Sequence, residues 1–171
     1  MATVRNVLFI ILALLLQSKV FGRFDIHGAR PDFGMLALVI IVGAVSGEAG
    51  ILYGFFIGFL QDVYTPEYLG YNAFTMSLMG FFLGILKETI AVENIYVRIA
   101  VTFAACLVHD ILYLSFYTVF DFPLMLRLIV REGAGGAAYT AALALVFLSG
   151  YGFIVGGGPR NVIRHLLGFG R

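Results

Sequence analysis

Charge is what this chain has least of. Only 12% of its 171 residues are Asp, Glu, Lys or Arg, about half the share with which a soluble domain keeps its surface wetted. Hydrophobic residues make up 61%, and a surface that apolar would aggregate in water, so lipid must act as solvent for much of the chain. The net charge is +1, with the Lys and Arg residues scattered rather than striped, which excludes a nucleic-acid partner. Cysteine is nearly absent too. The single Cys106 rules out a disulfide framework and a structural zinc site, and reads as a small buried hydrophobe. Soluble catalytic signatures are missing as well: no phosphate-binding Gly-x-x-x-x-Gly-Lys, no Gly-x-Ser-x-Gly, no His-Glu-x-x-His. Ser77, Ser115 or Ser149 could be nominated as nucleophiles only arbitrarily, since none comes with a base. The reading is therefore not an enzyme, with no cofactor and no metal.

What is there is a series of apolar runs. At about 20 residues per crossing, residues 1–171 form one integral membrane domain with room for about six spans. Val4 to Leu16 follows Arg5 as a signal peptide would, but no small-x-small cleavage pattern comes after it, so it reads as a retained first span. Asp25, His27, Arg30 and Asp32 form a polar loop, and Pro31 suits a helix start, so a second helix begins near Phe33. From Phe33 to Leu60 the apolar run is too long for one crossing. Two short helices joined near Glu48 fit best; one long tilted helix would reduce six spans to five. Asp62 to Gly70 is a polar turn, Tyr71 to Leu86 a span, and Lys87, Glu88, Glu93 and Arg98 a charged loop. About Tyr96 to Phe120 is the longest span, Leu124 to Val130 an interfacial segment, and Ala134 to Val155 the last span. Gly156, Gly157, Gly158 and Pro159 stop it, leaving residues 156–171 as a short basic tail with Arg160, Arg164, His165 and Arg171. The bias of Lys and Arg toward cytoplasmic loops puts the N-terminus, the Lys87 to Arg98 loop and the C-terminus on the cytoplasmic side.

Glycine spacing is the most informative pattern. Gly50, Gly54 and Gly58 recur every four residues on one helix face, and Gly80-Phe-Phe-Leu-Gly84 echoes Gly54-Phe-Phe-Ile-Gly58. Backbones can approach closely at such faces, within the monomer by default or against another chain, a homo-oligomer included. Ionisable groups at membrane depth are the second signal. His109 and Asp110 fall within the fifth span, where an unpaired charge costs several kcal/mol. Glu48 and Asp62 bracket the glycine-rich helix near its ends, where water could reach them. For all four, structural hydrogen bonding and function are both open.

The Arg30-Pro31-Asp32 opening of the second helix, the run Gly50-Ile-Leu-Tyr-Gly54-Phe-Phe-Ile-Gly58-Phe-Leu-Gln-Asp62, the following Leu69-Gly70 and, more loosely, Asp110-Ile-Leu-Tyr113 resemble the MreD family of rod shape-determining membrane proteins. The positions that match the family motif are Pro31, Asp32, Gly54, Gly58, Asp62 and Gly70. The resemblance implies a non-enzymatic protein of the bacterial inner membrane that binds the single-span MreC and acts with MreB filaments and the RodA–PBP2 cell-wall synthase. It also implies a six-helix fold similar to the substrate-binding subunits of energy-coupling-factor vitamin transporters. Such a subunit is the rival reading. Those subunits commonly meet their transporter partner through small residues spaced by four on the first helix, and Val4 to Phe21 has no Ala-x-x-x-Ala.

Overall fold

A computed structural model describes residues 2–20, 29–45, 47–89 and 95–155. They form α1 (Ala2–Val20), α2 (Phe33–Ala44), α3 (Gly47–Asp62), a 3-10 turn (Pro66–Tyr68), α4 (Tyr71–Thr89), α5 (Ile95–Tyr117), α6 (Phe122–Leu128), a π-helical turn (Ile129–Gly133) and α7 (Ala134–Val155), with no strand among the described residues. The helical bundle is thus the all-α architecture expected from the composition. The basic tail, His27 and the 90–94 loop lie outside the described residues.

The long apolar run from Phe33 does break near Glu48. Val45 is extended at φ −116° and ψ 171°, which ends α2 and gives two helices where one long tilted helix was the alternative; the short α6 stands between α5 and α7. Lys87 fixes the break. It belongs to the last turn of α4 rather than to a loop, and its ammonium donates to the carbonyl oxygens of Val42, at 3.2 Å, and Val45. Those carbonyls are orphans of the α2 terminus, so a cation there satisfies both hydrogen bonding and the helix dipole. Glu48 is exposed in the first turn of α3, where the same dipole favours an anion.

α2 is the central post. Met35, Leu36, Ala37, Leu38, Val39, Ile41 and Val42 are all buried, so the helix is covered on nearly every side as far as Val42, and it touches α1, α3, α4, α5 and α7. The outer helices carry exposed apolar side chains instead: Val7, Leu8, Ile11 and Leu12 on α1, Phe55, Phe56 and Phe59 on α3, and Phe74, Phe81 and Phe82 on α4. A contiguous aromatic surface of this kind requires lipid or protein against it. Among the described residues one stretch, Tyr96–Tyr117, is both long and apolar enough to cross a membrane by itself, and Asn6–Leu15 and Phe33–Gly43 are shorter apolar helices.

The tightest seam joins α3 to α4. A methyl group on Gly50 would lie 2.7 Å from the Gly80 carbonyl oxygen, one on Gly54 would overlap the Met76 carbonyl, and one on Gly58 would overlap the Asn72 carbonyl. Gly50 opposite Gly80, Gly54 opposite Met76 and Gly58 opposite Asn72 set a constant antiparallel register. The glycine face is therefore filled by this chain's own α4 and is closed to a partner helix. Gly84 is buried on α4. The two Gly-Phe-Phe runs are the two sides of this hairpin: glycines inward, phenylalanines outward.

Asp62 locks the turn end of the hairpin. It ends α3 with no exposed surface, contrary to the expectation of a hydrated position. Its carboxylate accepts the backbone N–H of Gly70 at 2.9 Å, Ala73 at 3.0 Å and Asn72 at 3.1 Å, the donors that the start of α4 would otherwise leave unpaired. Gly70, at φ +101°, makes the turn that brings those donors round.

Candidate functional site

Asp32 begins the site. Its carboxylate caps α2 by accepting from the Met35 N–H at 2.9 Å, as expected of Asp before a helix, with Pro31 buried one residue earlier. The Asp32 N–H donates to Thr140 Oγ1 on α7 at 2.9 Å. Gln61 Nε2, from the end of α3, donates to Asp32 Oδ1 at 3.2 Å and reaches Gln17 Oε1 on α1 at 3.5 Å, while Gln17 Oε1 also accepts the Gly34 N–H at 3.2 Å. Four helices are thus tied together around one N-cap.

A cavity lies above that cap. α2 has 12 residues, about 18 Å against a hydrocarbon core of about 30 Å, so it cannot fill the bundle from end to end. The space left over has a volume of about 590 Å³, and Asp32, Gln61, His109, Asp110, Tyr113 and Thr140 are among the residues that line it. Thr65 on the α3–α4 turn and the exposed Glu132 line it too, which places the mouth at that end of the bundle.

His109 and Asp110 come from α5. Adjacent helical positions point about 100° apart, yet both border the cavity. His109 is 5% exposed. Its Nδ1 lies 3.6 Å from Asp110 Oδ1, beyond hydrogen-bond range, and neither ring nitrogen has a hydrogen-bond partner. Its ring is nearly parallel to that of Tyr113, at 19° and 6.2 Å, and Tyr113 is stacked in turn on Tyr117. Asp110 is 31% exposed at its side chain and faces the π-helical turn, where a methyl on Gly133 would sit 3.0 Å from its Oδ2. A π-helical turn is rare and tends to mark functional positions; this one carries Glu132 and Gly133 to the rim.

The expected residues thus separate into two groups. Pro31, Asp32, His109 and Asp110 meet at the cavity. Gly50, Gly54, Gly58, Gly80, Asp62 and Gly70 build the α3–α4 hairpin beside it, and Glu48 belongs to neither. Gln17, Gln61, Tyr113, Glu132 and Thr140 are site residues that the sequence reading passed over. The four-residue spacing of His109, Tyr113 and Tyr117 was the signal available for the aromatic row. Ser77 and Ser115 donate back to the carbonyls of Ala73 and Ile111, the usual fate of helical serines, so neither is set up as a nucleophile. The side chain of Ser149 lies outside the described residues. Among the described residues no cluster of three or more His, Cys, Asp or Glu could hold a metal ion.

Fold and site together define a polytopic membrane bundle with a lipid-facing aromatic surface and a polar cavity at one end. The model of the rod shape-determining protein MreD family matches residues 2–149, and the chain belongs to that family. Its role is accordingly that of a rod shape-determining protein of the bacterial inner membrane. No curated protein and no solved structure matches it, so the likeness to vitamin-transporter subunits rests on the family resemblance alone.

Proposed function

We propose that the chain is a non-enzymatic membrane scaffold of the cell-elongation machinery, which binds MreC and helps couple MreB filaments to peptidoglycan synthesis by RodA and PBP2. The observation that carries this reading is the family match over residues 2–149. The outward apolar faces of α1, α3 and α4 support it physically, because lipid-exposed helix surfaces are where a single-span partner can pack. The glycine seam is not such a surface, being occupied from within. In this reading the C-terminus lies in the cytoplasm, the side that the Lys and Arg bias favours, and the cavity mouth opens on the outer side.

Affinity purification from native membranes tests the proposal. The expected companion is a single-span protein with a coiled-coil and β-rich exterior. Recovery of an ATPase-linked transmembrane subunit instead would favour the rival vitamin-binding reading and overturn this one.

A further inference from the structure

The cavity above Asp32 has the size, polarity and charge of a ligand site, and two of its carboxylates, Asp110 and Glu132, cap no helix. Its volume of about 590 Å³ falls in the usual range of about 300–1,000 Å³ for small-molecule sites. Among the described residues three carboxylates, Asp32, Asp110 and Glu132, border it, with one guanidinium, that of Arg30, and the imidazole of His109. Negative charge in excess at a partly buried site is unfavourable unless a cation joins it. An anionic ligand would meet those carboxylates at close range.

Unmet hydrogen bonding points the same way. Gln61 Oε1 is buried with no partner and can only accept. His109, 5% exposed, has two ring nitrogens without a hydrogen bond; one of them is an acceptor in the neutral ring. Two buried acceptors on the cavity wall are thus left without a donor among the described residues. An ammonium group supplies three donors and the missing positive charge. Leu14, Leu114 and Leu128 form apolar wall for the remainder of the molecule.

We propose that this cavity binds an ammonium-bearing small molecule, supplied either as a free organic amine or as the amine headgroup of a membrane phospholipid. Asp110 and Asp32 receive the ammonium, Gln61 and His109 take its remaining hydrogen bonds, and Glu132 on the π-helical turn draws it to the mouth. The assignment stands on the cavity alone and is independent of the partner protein.

The test uses the purified full chain in phosphatidylglycerol nanodiscs, titrated calorimetrically with tyramine and with 4-ethylphenol, which keeps the ring and hydroxyl and lacks the ammonium. Tyramine is expected to bind saturably, with 4-ethylphenol about tenfold weaker or more, the factor that loss of one charge-assisted hydrogen bond produces. Asp110→Asn is expected to weaken tyramine by a similar factor while melting at the wild-type temperature. If that variant melts early, Glu132→Gln, exposed on the rim, carries the charge test with a smaller loss. Nanodiscs containing phosphatidylethanolamine separate the two sources: tyramine affinity falls there if the lipid headgroup competes, and is unchanged if a free amine is the occupant. Equal binding of the two probes, full-strength binding to both variants, or no saturable binding of tyramine together with no selective retention of phosphatidylethanolamine overturns the proposal.

Discussion

Replacing Gly54 with alanine adds one methyl group to the seam between α3 and α4, and the atoms it meets decide the cost. That methyl overlaps the Met76 carbonyl oxygen and comes within 2.7 Å of the Met76 carbonyl carbon and 3.1 Å of Ser77 Cα. All three belong to helical backbone, which has no side-chain torsion by which to move aside. Relief requires the two helices to part by about 1 Å, toward the ~3.5 Å at which carbon contacts are favourable. Parting them at Gly54 also loosens Gly50 against Gly80 and Gly58 against Asn72, because the three share one register. Overpacking costs about 1–3 kcal/mol, and contact between two backbones belongs at the upper end. Alanine returns about 1 kcal/mol in helix propensity over glycine. The net loss is about 2 kcal/mol, or roughly 4–8 °C in melting temperature for a chain of this size.

Cys106 is the only cysteine and is 3% exposed, so a thiol-reactive fluorophore reports unfolding without further engineering. Gly43→Ala is the matched control. Gly43 is exposed, and the atom nearest an added methyl there is the far end of the Arg98 side chain at 3.3 Å, a side-chain contact and not a backbone one. That variant should melt at or slightly above the wild-type temperature. A Gly54→Ala protein that melts as late as Gly43→Ala would refute the backbone-contact account of the seam.

Three further outcomes follow from single interactions. Asp62→Ala leaves three backbone donors at the start of α4 without their acceptor, and at about 1–3 kcal/mol each in a buried setting the loss should prevent recovery of folded protein; Asp62→Asn, which keeps one acceptor oxygen, should be intermediate in the same thermal assay. Lys87→Met keeps the apolar stem but strips the cation from the Val42 and Val45 carbonyls; a loss of about 1.5–3 kcal/mol should appear as an earlier melt, and an unchanged melt would mean that water caps α2 equally well. Gly70→Ala meets no atom within 4 Å but must hold φ at +101°, so about 1 kcal/mol or more is lost through the backbone alone, and proteolysis of the α3–α4 turn should speed up.

The bundle was legible because apolar runs and their breakers set helix lengths. The last span, Ala134–Val155, and the start of α2 at Phe33 match the helices that form. The joint at Glu48 was visible only as a polar interruption, since the feature that fixes it, Lys87 reaching back 45 positions to Val42, leaves no local trace. Asp62 was misjudged for a related reason. Its place at a helix end suggests hydration, but the glycine turn eight residues later folds three N–H groups onto it and excludes water. The cavity was illegible because it arises from a length mismatch, a 12-residue central helix among longer neighbours, and from residues drawn from α1, the segment that leads into α2, α3, α4, α5, α6, the π-helical turn and α7.

The division between hairpin and cavity bears on what the family motif encodes. Gly54, Gly58, Asp62 and Gly70 act on one another's surroundings: two glycines admit the α4 backbone, the carboxylate caps that same helix, and the last glycine turns the chain toward it. Changing any of them damages the hairpin before it reaches a partner, so a partner-binding defect in such a variant is evidence about folding unless its melt is unchanged. Asp32 differs. It caps α2, but its carboxylate also borders the cavity and holds Gln61 in place. Binding variants at Asp110 or Glu132, which cap no helix, therefore separate function from fold where the motif residues cannot.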